Sequence, residues 1–245
     1  MTTESARVDL IVLAGGRARR LDGAVKPAIE VAGRTLLSRV LDARGLARHV
    51  VVVGPVEARA AVPADATADL TWTLEDPPFG GPVAGIVAGL GALERVTAAR
   101  EASAPPGWVL LLACDLPWAA DAARLLVPAA TDPGLPASVH GLHLVDPGGS
   151  AQWLAGIYRL APLRAAAHRL GADAHGASMH GLLATLTLRG VRDLAGAGSD
   201  VDTWQDVERS SALLTSTPQR DDPTAEQSDR GAIRPRSNPM RSDTE

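Results

Sequence analysis

Three residue types that often decide a reading are nearly missing from this chain. Cysteine occurs once in 245 residues, at Cys114, which excludes an intrachain disulfide and a cysteine-rich zinc site. Lysine also occurs once: of 24 basic side chains only Lys26 is not arginine. Aromatics are limited to five Trp, one Tyr and one Phe, so a core must be built from Ala, Val and Leu. The histidines at 49, 140, 143, 168, 175 and 180 show no metal-ligand spacing and read as surface or loop residues. No apolar run approaches the roughly 18 residues of a membrane span. The start, Met1–Arg7 followed by the short run Val8–Leu13, lacks the basic opening and longer apolar stretch of a secretory signal. The expectation is a cytoplasmic protein with no membrane partner. The net charge of −4 lacks the basic excess of a nucleic-acid binder, so no nucleic-acid partner is expected.

Heavy use of Arg and Ala reflects a compositional bias in which Lys elsewhere has become Arg. A lysine that persists in that background invites a chemical reason, set against chance. The reason would be the compact, flexible point charge of an ammonium, which guanidinium does not mimic.

Several segments have clear periodicity. Val8–Leu13, His49–Val53 and Trp108–Ala113 are short apolar runs that read as buried strands, with weaker strands over Leu70–Leu74, Gln152–Leu160 and Leu186–Asp193. Helical spacing covers Thr35–Arg44, Val83–Val96, Ala120–Ala130, Pro162–Leu170, Ser178–Leu183 and Thr203–Leu213. Continuous apolar strands alternating with helices predict an α/β fold with a mostly parallel central sheet covered on both faces. Ligands in such folds bind at the carboxyl ends of the strands, which directs attention to the loops after Leu13, Val53, Leu74 and Ala113. Residues 1–214 are expected to form one domain. Thr215–Glu245 is polar, without aromatics or periodicity, and reads as a disordered tail.

Four segments carry candidate chemistry, three of them on these loops. The first, Leu13-Ala14-Gly15-Gly16 through Arg17, Arg19, Arg20 and Lys26, combines a tight glycine turn with positive charge suited to phosphates. It fails both the P-loop and the Gly-x-Gly-x-x-Gly patterns, and an ordinary basic turn is the competing reading. The second, Cys114-Asp115-Leu116-Pro117, places a carboxylate at the end of a central strand, where it could hold Mg²⁺ against a triphosphate or cap the following helix. The third, Glu75 to Gly85, has Gly81-Pro82 opening a helix toward a ligand, and Asp76 could accept two hydrogen bonds from guanine or be a surface acid. The fourth is Asp200-Val201-Asp202-Thr203 before the last helix. Its two acids would converge on a metal only if the backbone bends, and Asp202 or Thr203 is also placed to cap the helix.

Taken together, Leu13-Ala14-Gly15-Gly16 with Arg19-Arg20 and Lys26, Gly81-Pro82-Val83-Ala84-Gly85, Cys114-Asp115-Leu116-Pro117 and Val201-Asp202-Thr203 resemble the molybdenum cofactor guanylyltransferases, over roughly residues 8–210. The resemblance implies a Rossmann-like three-layer sandwich of the nucleotide-diphospho-sugar-transferase type. It also implies Mg²⁺-dependent transfer of GMP from GTP to molybdopterin or its molybdenum complex, with release of pyrophosphate. Acceptor molybdoenzymes or their chaperones are further partners it suggests. By the same resemblance Leu13, Ala14, Gly15 and Gly16 contact the nucleotide, along with Gly81 and Pro82. Lys26 and Arg19 act on the phosphates, and Asp76 sits where the family reads guanine. Asp115 and Asp202 hold the metal, with Asp115 also counted among the catalytic groups, and Asp200 lies near it. Gly15-Gly16, where cytidylyl relatives have Ala-Gly, favours GTP. The chain departs from the family pattern at Asp22, Val25 and Val53-Gly54. Rival readings are another nucleotidyl transfer, with CTP as donor or a sugar phosphate or phospholactate as acceptor, and a catalytically silent nucleotide-binding module.

Overall fold

The computed structural model describes residues 8–15, 21, 23–99 and 107–216. The strands are β1 (Val8–Leu13), β2 (Glu30–Val31), β3 (Arg34–Thr35), β4 (Val50–Val53), β5 (Leu70–Thr73), β6 (Trp108–Ala113), β7 (Gly141–Val145), β8 (Ala151–Arg159) and β9 (Leu188–Arg192). The helices are α1 (Leu36–Val40), α2 (Gly81–Ala99), α3 (Ala119–Thr131), α4 (Leu160–Leu170), α5 (Met179–Leu183) and α6 (Trp204–Ser216).

β1, β4 and β6 are the runs VDLIVL, VVVV and WVLLLA, and their side chains are buried on both faces apart from the last residue of β6. Such strands belong at the centre of a covered sheet. Here they form the middle of a seven-stranded sheet ordered β5-β4-β1-β6-β8-β7-β9. Neighbouring strands are parallel except for the two pairings of β8, with β6 and with β7. Alternation along β1 divides the core. Leu10 and Val12 pack with Leu37, Val40, Leu126 and Ala123 of α1 and α3. Ile11 and Leu13 face Val83, Ile86, Leu90 and Leu163 of α2 and α4. The result is the expected three-layer sandwich.

α2 lies close to the sheet because it carries glycines on the facing side. A Cβ on Gly89 would stand 2.8 Å from Ile11 Cγ2, and one on Gly85 3.2 Å from Leu13 Cδ2. The β2–β3 hairpin turns on Ala32 and Gly33, both at positive φ, as a two-residue turn of primed type requires.

Expected elements recur with ends shifted by a few residues, apart from one shortened helix and two unexpected additions, the β2–β3 hairpin and β7. The helix over Thr35–Arg44 is shorter: Thr35 accepts the Ser38 N–H as its cap, and the chain tightens to 3₁₀ geometry from Leu41. β7 was not expected. Its apolar residues are only Leu142, Leu144 and Val145, and flanking Pro136 and Pro147-Gly148-Gly149 give its surroundings the composition of a loop. His143 sits inside this strand, half-buried, so it is not the surface or loop histidine expected. α6 extends to Ser216, two residues past the expected tail boundary, and residues 217–245 lie outside the described set.

Candidate active site

The central parallel strands finish level with one another: Leu13 is in register with Val53 on one side and Ala113 on the other. Sheet bonding continues one residue further, with Ala14 N–H donating to Val53 O at 2.7 Å and Cys114 N–H to Leu13 O at 3.0 Å. Above this edge lies a cleft of about 480 Å³, lined by Leu13, Gly15, Val53, Pro82, Asp115 and Leu154 among others. Gly81, at φ +84°, begins α2 on its wall, so the amino end of a 19-residue helix faces the cleft. Helix amino ends favour anions.

One charged constellation stands at this edge. Lys26 opens a 3₁₀ turn with Pro27 in its first turn. Its Nζ is 2.8 Å from Asp115 Oδ2 and 2.5 Å from Asp202 Oδ1. The lysine side chain is 11% exposed and that of Asp115 20%, while Asp202 is 46% exposed. Burial by itself would lower the Lys26 ammonium, but the facing carboxylates of Asp115 and Asp202 outweigh it and hold it above its ordinary value. Asp115, Asp200 and Asp202 each offer an oxygen within 4.8 Å of the others. Burial raises the Asp200 carboxyl, and Asp115 and Asp202 add to the rise by repulsion.

Local sequence explains this convergence. Asp115 lies in the turn just after β6; α3 begins at Ala119 with Trp118 before it, which provides no side-chain cap, and the Asp115 carboxylate meets Lys26. Thr203 and Asp206 form the capping pair of α6: Thr203 N–H donates to Asp206 Oδ2 at 3.0 Å, and Asp206 N–H to Thr203 Oγ1 at 3.2 Å. Asp206 is held below the ordinary carboxylate range by its hydrogen bond from the Thr203 hydroxyl. The cap is therefore Thr203, and Asp202 reaches Lys26. Val201 is buried with Leu21, Ile29, Val31 and Leu36, and its N–H donates to Asp115 O at 3.0 Å. That small apolar cluster ties the Lys26 segment to the segment bearing Asp200 and Asp202.

Of the residues singled out in the sequence, Leu13, Gly15, Gly81, Pro82 and Asp115 line the cleft. Ala14 is buried at its base. Gly16, Arg17, Arg19, Arg20 and Asp22 lie outside the described residues. Asp76 is exposed, and the acid lining the cleft is its neighbour Glu75, which also accepts the Phe79 N–H at 3.1 Å. Phe79 lines the cleft as well, 62% exposed and at φ +67°. Neither Glu75 nor Phe79 had a sequence signal beyond membership of that loop. Gly54 accounts for one departure: a Cβ there would stand 2.8 Å from Ala14 O, so the two loops meet backbone to backbone and no side chain fits between them. Cys114 is buried, and burial pushes its thiol well up, which suits a packing residue and not a nucleophile.

This architecture is shared by solved structures. Molybdopterin-guanine dinucleotide biosynthesis protein A from Archaeoglobus fulgidus matches with a TM-score of 0.59 at 17% identity, over 85% of this chain and 100% of that one. A homologue, from Mycobacterium sp. strain JC1, of the Mycobacterium tuberculosis protein Rv0371c matches with a TM-score of 0.58 at 22% identity, over 85% and 97%. The 4-diphosphocytidyl-2C-methyl-D-erythritol synthase from Anaerococcus prevotii matches with a TM-score of 0.60 at 12% identity, over 86% and 97%. No curated protein matches the sequence. At these identities the structural likeness establishes the fold, the nucleotide-diphospho-sugar-transferase-like α/β sandwich. Residues 10–187 match the model of the MobA-like NTP transferase domain, and the chain belongs to that family of nucleotidyltransferases.

Proposed function

We propose that this protein is a molybdenum cofactor guanylyltransferase, joining GMP from GTP to the terminal phosphate of molybdopterin, or of its molybdenum complex, and releasing pyrophosphate. The observation that carries the reading is the single lysine held between Asp115, just after β6, and Asp202, just before α6, with Asp115 lining a cleft faced by the amino end of α2. The choice of GTP rests on the Gly15-Gly16 pair and the set of motifs, and molybdopterin on the resemblance to the guanylyltransferases.

The residues present fit a divalent cation. Three carboxylates converge within 4.8 Å, with the Lys26 ammonium between two of them. Asp115 would hold Mg²⁺ with Asp202, and Asp200 lies within the same reach. The ion would neutralise charge on the triphosphate and on the departing pyrophosphate. Lys26 would bind the phosphates and stabilise charge on the leaving group, an interaction strongest as the α–β bond breaks. An oxygen of the acceptor phosphate forms the new bond to the α-phosphorus, and the α–β anhydride oxygen leaves with pyrophosphate. Gly15 exposes backbone to the cleft, whereas Ala14 N–H is already committed to Val53 O. The acid best placed to accept from the N1 and N2 positions of guanine is Glu75, with Asp76 next to it outside the lining.

Thermal denaturation with GTP, CTP, ATP and UTP, each with Mg²⁺, tests the reading. A nucleotide present at about 100 times its dissociation constant stabilises by roughly 2.7 kcal/mol. Selective stabilisation by GTP, with turnover of molybdopterin, is the expected result. A response to CTP alone would move the donor assignment, and no response to any of the four would overturn the function.

A further inference from the structure

Two of the three clustered acids reach the site on a loop that starts at the far edge of the sheet, after β9. At its beginning Asp193 N–H donates to Val145 O at 2.9 Å. The Asp193 side chain is buried, with the residue 2% exposed, and both its oxygens are used: Oδ1 accepts the Ala197 N–H at 2.9 Å and Oδ2 the Gly198 N–H at 2.7 Å. Gly196, at φ +75°, turns the chain, and Ser199 N–H closes back on its carbonyl at 3.0 Å. Ala197 is buried in the core with Leu144 and Ala155. A Cβ on Gly198 would stand 3.3 Å from Leu144 Cδ1 and 3.4 Å from Gln152 Cγ, so the loop rests directly on β7 and β8. Its far end is held by Val201 N–H on Asp115 O.

A buried carboxylate is an expensive way to close a turn, and it is tolerated here because two amides satisfy it. Asparagine would offer one acceptor and turn an NH₂ group toward the second amide. Asp115, Asp200 and Asp202 repel one another; Lys26 offsets this between Asp115 and Asp202, and a restraint on the loop backbone further favours the approach of all three within 4.8 Å. Asp193 is such a restraint.

We propose that Asp193 is a positioning residue for the carboxylate cluster: its paired hydrogen bonds set the path of residues 193–203 and hold Asp200 and Asp202 against Asp115 and Lys26. Asp193 acts through the loop and touches neither nucleotide nor cation. The inference rests on reading the cluster as the cation and triphosphate site.

The test is calorimetric titration of the full chain with Mn²⁺, alongside hydrogen–deuterium exchange over residues 197–202. The variants are Asp193→Asn and Asp193→Ala, with Ser178→Ala as control, because Ser178 caps α5 by accepting the Gly181 N–H at 3.1 Å. Both Asp193 variants should bind Mn²⁺ at least tenfold more weakly and exchange faster at 197–202, and excess metal should restore guanylyl transfer. Ser178→Ala should bind as the wild type. Wild-type Mn²⁺ affinity in a folded Asp193→Asn protein overturns the inference, as does an equal loss in Ser178→Ala. If Asp193→Ala does not fold, Asp193→Asn, which keeps one acceptor, decides alone. A wild-type chain that takes up no Mn²⁺ overturns the cation reading itself and this inference with it, a failure visible before any variant is made.

Discussion

Replacing Lys26 by Ala removes the one ammonium between Asp115 and Asp202. Two consequences separate cleanly. The first is structural. Breaking a buried ion pair costs about 3–5 kcal/mol, but Asp202 is 46% exposed and Asp115 20%, so solvent screening reduces the loss to roughly 1–2 kcal/mol. For a domain of this size that lowers the melting temperature by about 2–8 °C. The second is chemical. Loss of a preorganised group that stabilises charge in the transition state costs about 10²–10³ in turnover, or roughly 3–4 kcal/mol. The chemical loss exceeds the structural one, so at 25 °C a folded Lys26→Ala protein should be nearly inactive with Mg·GTP and molybdopterin. Mn²⁺ binding should persist in the same protein, because its three carboxylates are intact and less neutralised. Lys26→Arg should not rescue, since the guanidinium is planar, bulkier and differently directed. Steady-state turnover, thermal melting and Mn²⁺ titration on the same preparations check all three effects. Turnover within threefold of wild type in Lys26→Ala, or full activity in Lys26→Arg, would refute the role assigned to the lysine.

Asp115→Ala should abolish the Mg²⁺ dependence of GTP binding, seen as superimposed thermal shifts with and without the metal. Gly89→Ala pushes a methyl group to 2.8 Å from Ile11 Cγ2 and should destabilise by about 1–3 kcal/mol in urea unfolding, with turnover of the remaining folded protein unchanged. Phe79→Ala removes the exposed ring from the cleft and should raise the dissociation constant for GTP by roughly fivefold, on the order of 1 kcal/mol, leaving the melting temperature of the free protein within about 1 °C. His143 lies half-buried on β7, its Nδ1 has no hydrogen-bond partner among the described residues, and burial lowers its imidazole below the ordinary 6.5. The unfolded chain therefore binds the proton more readily, and by linkage this residue's contribution makes stability fall as pH drops through 6.5. His143→Gln should flatten that slope in urea titrations at pH 5 and pH 7.5, and an unchanged slope would show that His143 does not contribute to it.

Much of this protein was determined by local sequence. Short continuous apolar runs alternating with helical segments read as central strands, so Val8–Leu13, His49–Val53 and Trp108–Ala113 announced a parallel sheet, and with it the edge where the site lies. The lone Lys26 and Asp115, just after β6, stood out for chemical reasons before any coordinates. Tertiary structure decided what depends on distance through space. Asp200 and Asp202 meet Asp115, about 85 residues away in sequence, because Val201 is buried with Leu21 and Ile29 and because Thr203, not Asp202, caps α6. Glu75 rather than Asp76 faces the cleft, a difference of one position that residue type cannot resolve. β7 exists because β8 and β9 supply partners on either side, although its own residues read as a loop. Periodicity records whether a residue is buried. Which buried or charged residues meet one another depends on how the chain returns, and that is settled only when the layers pack.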